Sequence, residues 1–431
     1  MAKQRDPVLD SMRGIGIVLM VLGHSGFPGT DYIYLFHMAL FFMLSGWFFS
    51  LRGGLVHFVR RKLLTLWLPF VAANTVFTVC NNLFLRLNIL TADARIAEIP
   101  GNSVTAPVSI KDIIGRTVHW CVFDGGTQLG GAMWFIQALF QISLLYAVIE
   151  VLLQKLLHGG DTLIPQGLLS GVLLWAGWHC NQIGWNVWGL GIAASCYWMF
   201  YLGTVLRRTA RSEVRPLYRA AAGAAAFVLL LVLRRLGSVG LAGNGYTNPA
   251  FLLLASMAGW VLVRSAACLT APLPRVSAVL GYLGRATMPI VILHFLSFKL
   301  VTWLGLLATG GESYLLAAFP VYFTGGVWWL AYTAAGLALP LAADAVYKKI
   351  KNAVLAHRCK KGAPRGSFFL PPSARQTPPI RGRWRLRQRG AVPRRGGGRE
   401  PCLRSKLRVS AISLPHRLRA EPPRRGNQEN A

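Results

Sequence analysis

Charge is scarce in this 431-residue chain, and acidic charge is scarcest: Asp, Glu, Lys and Arg together make up 14% of it, with 15 acidic residues against 46 basic ones. So little charge beside 54% hydrophobic residues and 14 tryptophans excludes a soluble globule of this length and places the chain in a bilayer. Cys-x-x-Cys pairs are absent. The seven cysteines (Cys80, Cys121, Cys180, Cys196, Cys268, Cys359, Cys402) sit mostly within apolar runs, which points to buried thiols and excludes a disulfide framework or a zinc site. No internal repeat or heptad pattern stands out, which weighs against an inverted-repeat transporter. A cleaved signal peptide is not expected either. Lys3 and Arg5 precede an apolar run that leads into a second span without a clear small-residue cleavage site.

The formal charge of +31 suggests nucleic acid when read whole, but residues 351–431 hold 21 Lys and Arg against three Glu. This tail, with Pro371-Pro372, Arg381-Gly382-Arg383-Trp384-Arg385 and Gly396-Gly397-Gly398, lacks apolar periodicity and cannot bury enough surface to offset its ordering entropy. It is read as disordered. Such a run can hold anionic headgroups, and a shifted reading frame in a GC-rich gene gives the same composition, so no nucleic-acid partner is expected.

Apolar runs lie near 14–29, 32–51, 63–85, 132–154, 163–180, 186–206, 216–233, 247–264, 277–305 and 320–346, each close to the about 20 residues that cross a hydrocarbon core. The expected fold is therefore an all-α polytopic transmembrane bundle of about ten spans. Residues 1–350 form the membrane domain and 351–431 the tail. Basic clusters follow the second span (Arg52, Arg60, Arg61, Lys62), the sixth (Arg207, Arg208, Arg211, Arg215) and the tenth (Lys348, Lys349, Lys351), which places both termini in the cytoplasm. Arg234 and Arg235 fall on the outer side and contradict this scheme: either the spans beside them are misplaced or the pair serves a substrate. Residues 86–131 form the longest connection, expected outside and water-exposed.

Ionisable side chains at bilayer depth are costly and so are functional candidates. Arg13 and His24 lie in the first apolar stretch, and His37 opens the next within Phe36-His37-Met38. The step from Arg13 to His24 corresponds to about 16 Å of helical rise, which sets Arg13 at the cytoplasmic rim and His24 inside. His24 and His37 then come out at similar depth. Such a pair can ligate a metal, relay protons or act as a general base; the plainer role is a hydrogen bond to a neighbouring helix. Arg13 suits phosphate recognition, though a basic residue there also anchors a span. Asp10 is placed to orient it one turn away, and Gly14 leaves room for a ligand.

These residues resemble the acyltransferase-3 group of integral-membrane acyltransferases, and within it the fucose-4-O-acetylase-like branch. The match runs through Leu9-Asp10-Ser11-Met12-Arg13-Gly14, Gly23-His24 and Phe36-His37-Met38 to Phe41-Phe42-Met43-Leu44-Ser45-Gly46, with weaker echoes at Met133-Trp134-Phe135, Gly284-Arg285-Ala286-Thr287 and Ile292-Leu293-His294. The resemblance covers roughly 5–345. It implies a ten-helix bundle in the bacterial inner membrane that takes an acyl group, usually acetyl from cytoplasmic acetyl-CoA, and esterifies a hydroxyl of a cell-surface or lipid-linked glycan. No metal is implied. Arg13 (with Asp10 and Gly14) falls on the donor side, and His24 and His37 are the candidate catalytic residues, with the base undecided between them. Many relatives add a soluble hydrolase-like domain; the tail has neither the length nor the apolar content for one, so transfer within the membrane domain is expected. Ser45 lacks the strand-turn-helix setting of a nucleophile, and Ser45-Gly46 is read as close helix packing. The competing reading is a transporter or flippase for a glycan or lipid-linked precursor, with His24, His37, Arg234 and Arg235 lining its path.

Overall fold

Asp6 starts the first helix before the apolar run begins. Its carboxylate accepts a hydrogen bond from the Val8 amide at 2.9 Å and Pro7 occupies the first turn, so α1 spans Pro7–Gly23. Gly26, at φ +79°, and Pro28 then carry the chain away from the helix, short of the expected end at residue 29. The computed structural model describes residues 6–210 and 215–361, with side chains through 354.

The second expected span is broken into α2 (Thr30–Tyr34) and α3 (His37–Trp47). Phe36 leaves the helix at φ −144°, ψ −20°, and its side chain packs where only a glycine, Gly259, leaves room. Next come α4 (Gly54–Lys62), a π turn at Leu63–Trp67 and α5 (Leu68–Val79). The turn sits just ahead of Pro69, whose missing N–H removes one rung of the helical ladder.

The connection expected as a water-exposed loop is largely folded. It holds the end of α6 (Asn81–Arg86), a 3-10 turn at Ala94–Glu98, α7 (Ile110–Cys121) and a 3-10 segment at Gln128–Met133. A capping box starts α7: the Asp112 amide donates to Ser109 Oγ at 3.2 Å and the Ser109 amide donates to the Asp112 carboxylate at 2.8 Å. Arg95 bridges Asp93 and Glu312, 2.8 and 2.6 Å away, and its guanidinium holds the Asp93 carboxyl below the usual carboxylate range. Buried Asn74 of α5 accepts from both the amide and hydroxyl of Thr127, fixing the entry to α8 (Trp134–Leu156).

The remaining elements are α9 (Leu163–Gln182), α10 (Leu190–Thr209), α11 (Pro216–Leu236), a two-stranded antiparallel hairpin of β1 (Val239–Gly240) and β2 (Gly245–Tyr246), α12 (Pro249–Thr270), α13 (Pro274–Arg285), α14 (Thr287–Thr309) and α15 (Trp328–Lys361). Among the described residues, seven helical segments are long and apolar enough to cross a membrane: 54–79, 128–156, 187–209, 216–236, 249–270, 287–309 and 328–354. The chain is a multi-pass membrane protein of the all-α class. The other expected spans fall on α1, on α2 with α3, and on α9. The first two are short, while α9 is diluted by Gln166, Ser170, His179, Asn181 and Gln182. A further difference lies at 277–305, where one apolar run becomes α13 and α14 because Ala286 leaves the helix at φ −105°, ψ 27°.

At the centre stands α1, packed against α3, α12, α13, α14 and α15, with Met12, Ile17 and Val21 fully buried. Glycines set the closest approaches. A Cβ at Gly46 would overlap the Phe200 carbonyl, and one at Gly203 the Met43 carbonyl, so α3 and α10 cross backbone to backbone as Ser45-Gly46 led one to expect.

Arg234 forms an ion pair with Asp31, 203 positions away in sequence. Its charge is thus answered by α2, with α11 and α12 placed where hydropathy put them. Of the cysteines, Cys196 is buried, Cys80, Cys180 and Cys268 are half-buried, and all five described thiols are free. Cys121 corrects the expectation of burial: it is exposed at the end of α7. The side chains of Cys359 and Cys402 lie outside the described residues. The helix α15 continues past the expected boundary at 351 as far as Lys361, and the rest of the tail, 362–431, also lies outside the described residues.

Candidate active site

One end of α1 carries Asp10 and Arg13, one turn apart. Arg13 lies 3.6 Å from one Asp10 oxygen, and Arg285, the last residue of α13, lies 3.8 Å from the other. The Arg13 guanidinium also sits over the Phe48 ring, 4.2 Å from its centroid. Arg207 of α10 donates to the Phe49 carbonyl at 2.9 Å, and Lys348 of α15 pairs with Asp344 at 2.5 Å. Together these side chains rim a cavity of ≈ 1180 Å³, to which Asp6, Asp10, Arg13, Arg207, Arg285 and Lys348 all contribute. Among the described residues, four cations face two carboxylates there. Because Asp6 and Lys348 share this rim, the start of α1 and the end of the last spanning segment lie on one side of the bundle.

The cavity follows α1 inward to His24, past Met20, Met38 and Phe135. His24 caps the C-terminus of α1, where its amide donates to the Val21 carbonyl at 3.1 Å. A positive charge on that imidazole faces the negative end of the helix dipole.

Against His24 the fold sets the rings of Tyr34, His294 and Phe295, with His37 behind Tyr34. Tyr34 Oη lies 3.0 Å from the Gly23 carbonyl, to which it donates, and 3.1 Å from His24 Nδ1. With the hydroxyl proton given to Gly23, His24 Nδ1–H is the donor to Tyr34, and the free lone pair sits on Nε2. His37 stacks on the far face of the arrangement, its ring 5.2 Å from that of Tyr34, with Nδ1–H donated to the Ile33 carbonyl at 2.9 Å. His294 of α14 stacks on His24 with centroids 5.6 Å apart and planes at 28°. Its Nδ1 lies 2.9 Å from the Ile290 carbonyl and 3.1 Å from that of Val291, so the lone pair is again on Nε2, which is buried with no hydrogen-bond partner among the described residues. Phe295 closes the group edge-on, 5.0 Å from His24.

The structure thus brings Asp10, Arg13 and His24 to one cavity and sets His37 one ring behind, among residues that do not line it. Gly14, expected to admit a donor, is absent from the lining. A Cβ there would overlap the Leu280 carbonyl, and one at Gly284 the Asp10 carbonyl, so Gly14 serves the contact of α1 with α13. Ser45 does line the cavity. Tyr34, Arg285 and His294 were not assigned site roles from sequence, and Arg207 and Lys348 were read there only as markers of topology. Tyr34 precedes His37 by one helical turn, a spacing that signals contact; Arg285 and His294 lay in weaker motifs whose place beside α1 no local pattern gives. Among the described residues no group of His, Cys, Asp and Glu is arranged to hold a metal ion.

Chemically, a cation-rich mouth suits phosphate or carboxylate groups, and an imidazole lone pair at the cavity's depth can take a proton from a hydroxyl. No curated protein and no solved structure gives a significant match to the chain. A family model for the acyltransferase domain does match, over residues 6–345, from the cap of α1 to within the spanning part of α15. The chain therefore belongs to the acyltransferase-3 family of membrane acyltransferases.

Proposed function

We propose that this membrane acyltransferase is an O-acyltransferase of the fucose-4-O-acetylase-like branch. In this reading it moves an acyl group, acetyl first among candidates, from cytoplasmic acyl-CoA to a hydroxyl of a cell-surface or lipid-linked glycan, and it resides in the bacterial inner membrane with both termini cytoplasmic. The observation that carries the reading is the single cavity joining Arg13 and its neighbouring cations to His24. Its volume, ≈ 1180 Å³, is ample for a large ligand.

Donor phosphates sit at Arg13, Arg285, Arg207 and Lys348, where a planar guanidinium offers paired donors. Asp10 holds Arg13 and Arg285 toward the mouth. The acyl end then points along α1 to His24. Nε2 of His24 takes the proton of the acceptor hydroxyl as its oxygen bonds to the thioester carbonyl carbon. The tetrahedral intermediate collapses with cleavage of the C–S bond, and the departing thiolate recovers the proton from the imidazolium. Tyr34 holds His24 in the reactive tautomer, and His37 supports Tyr34.

The test is acetyl transfer by purified full-length protein in nanodiscs, using radiolabelled acetyl-CoA and envelope glycan fractions as acceptor. Label should appear in glycan as an alkali-labile ester and vanish in His24→Ala. A transporter would consume no acetyl-CoA, and that result would overturn the reading.

A further inference from the structure

Behind Trp47, on the side away from the main cavity, lies a second hollow of ≈ 360 Å³ between α10, α11 and α12. Trp47 lines both. Among the described residues the charged lining of the second is basic: Arg219 from the first turn of α11 and Arg264 from α12 face it, and no described aspartate or glutamate does. Arg264 stands six positions before the end of α12 at Thr270, about 9 Å up the helix. Arginine within a spanning segment normally pairs with an opposite charge or a carbonyl. Here its guanidinium lies over the Trp47 ring, 5.4 Å from the centroid, and forms no ion pair or hydrogen bond among the described residues.

We propose that this hollow binds the phosphate headgroup of an anionic phospholipid, with the acyl chains running along the outside of α11 and α12. Three features select that ligand. First, the guanidinium fork of Arg264 has its N–H donors available and matches the geometry of a phosphodiester. Second, the hollow lies beside the end of α10, with Thr209 and Ala210 in its wall, next to Arg207 of the basic rim; a basic pocket between helices at headgroup depth is a place where anionic lipids bind. Third, Met257 and Val261 form an apolar wall that leads to the exposed Leu217, Phe227, Val228 and Leu254, a surface suited to acyl chains and not to a soluble anion. The volume fits a headgroup alone.

The site is independent of the acyl-transfer chemistry, and its test needs no turnover. Native mass spectrometry of full-length protein in neutral detergent, titrated with dioleoyl phosphatidylglycerol or dioleoyl phosphatidylcholine, should show one tightly retained phosphatidylglycerol. Phosphatidylcholine should be retained only at background. The Arg219→Gln/Arg264→Gln double variant should weaken retention about tenfold or more, since each surface-near Arg contributes about 1 kcal/mol to anionic-lipid binding. Ala222→Trp fills the hollow while leaving both charges, and should weaken it similarly with an unchanged circular dichroism spectrum. Equal retention of the two lipids, or parental retention by both variants, would overturn the proposal. So would displacement of the lipid by millimolar inorganic phosphate, which would mark a site for a soluble anion.

Discussion

His24 and His294 present stacked imidazoles, but only His24 lines the cavity, so their substitutions should not be alike. His24→Ala is expected to lower kcat by about 100- to 10,000-fold, the usual range for loss of a general base, with donor KM near the parent value. Retention of a tenth of the parental rate would place the base elsewhere. Tyr34→Phe removes the hydroxyl that touches both the Gly23 carbonyl and His24 Nδ1. Losing about 1 kcal/mol of hydrogen bonding should lower kcat about fivefold, measured under donor saturation. Arg13→Lys keeps the charge and loses the fork. Donor KM should rise by roughly tenfold, and unchanged binding of acyl-CoA in both Arg13→Lys and Arg13→Ala would reduce Arg13 to an anchor.

At the scale of elements, glycines and caps decide geometry. Gly203→Ala would press a methyl group onto the Met43 carbonyl and force α10 off α3. Overpacking of this kind costs about 1–3 kcal/mol, and a lower unfolding temperature in detergent should report it. Gly14→Ala should behave likewise, because its neighbour is the Leu280 backbone: stability falls, while the donor KM of the protein that remains folded stays near the parent value. A ligand contact at Gly14 would instead raise KM with no loss of stability. The cap of α7 carries a pH dependence. Hydrogen bonds from the Ser109 backbone and hydroxyl hold the Asp112 carboxyl below its ordinary value. A group depressed on folding stabilises fully above its unfolded pKa, near 3.9, and the contribution disappears as pH falls through the folded value. Asp112→Asn should therefore speed amide exchange in the first turn of α7 at neutral pH and make little difference in strong acid.

Across the whole molecule, α15 is the last element that reaches the cavity, through Lys348, and the family match ends at residue 345. Truncation after Lys361 keeps that helix intact and should leave the transfer rate and the detergent unfolding temperature unchanged. Loss of activity in correctly inserted truncated protein would assign residues 362–431 a role in donor, partner or membrane binding. The ten runs of hydropathy and the seven long apolar helices differ for a reason visible in particular residues. Phe36 breaks its helix without proline or glycine at the break, because packing against Gly259 decides that position, whereas the break at Ala286 is flanked by Gly284 and by Pro289 in the first turn of α14. The apolar run continues through the break at Phe36 unmarked.

Bilayer residence, the helical class, and the placing of Asp10, Arg13 and His24 along one stretch were determined by the sequence alone. Each rests on transfer free energy summed over about 20 neighbouring residues, so local pattern suffices. The tertiary structure alone decided that Tyr34 stands between His24 and His37, that His294 stacks on His24 from 270 positions away, that Arg285 shares Asp10 with Arg13, and that Asp31 answers Arg234. These contacts come from the fit of glycine-lined helix faces against α1. That fit depends on the shapes of segments remote in sequence, which hydropathy does not encode.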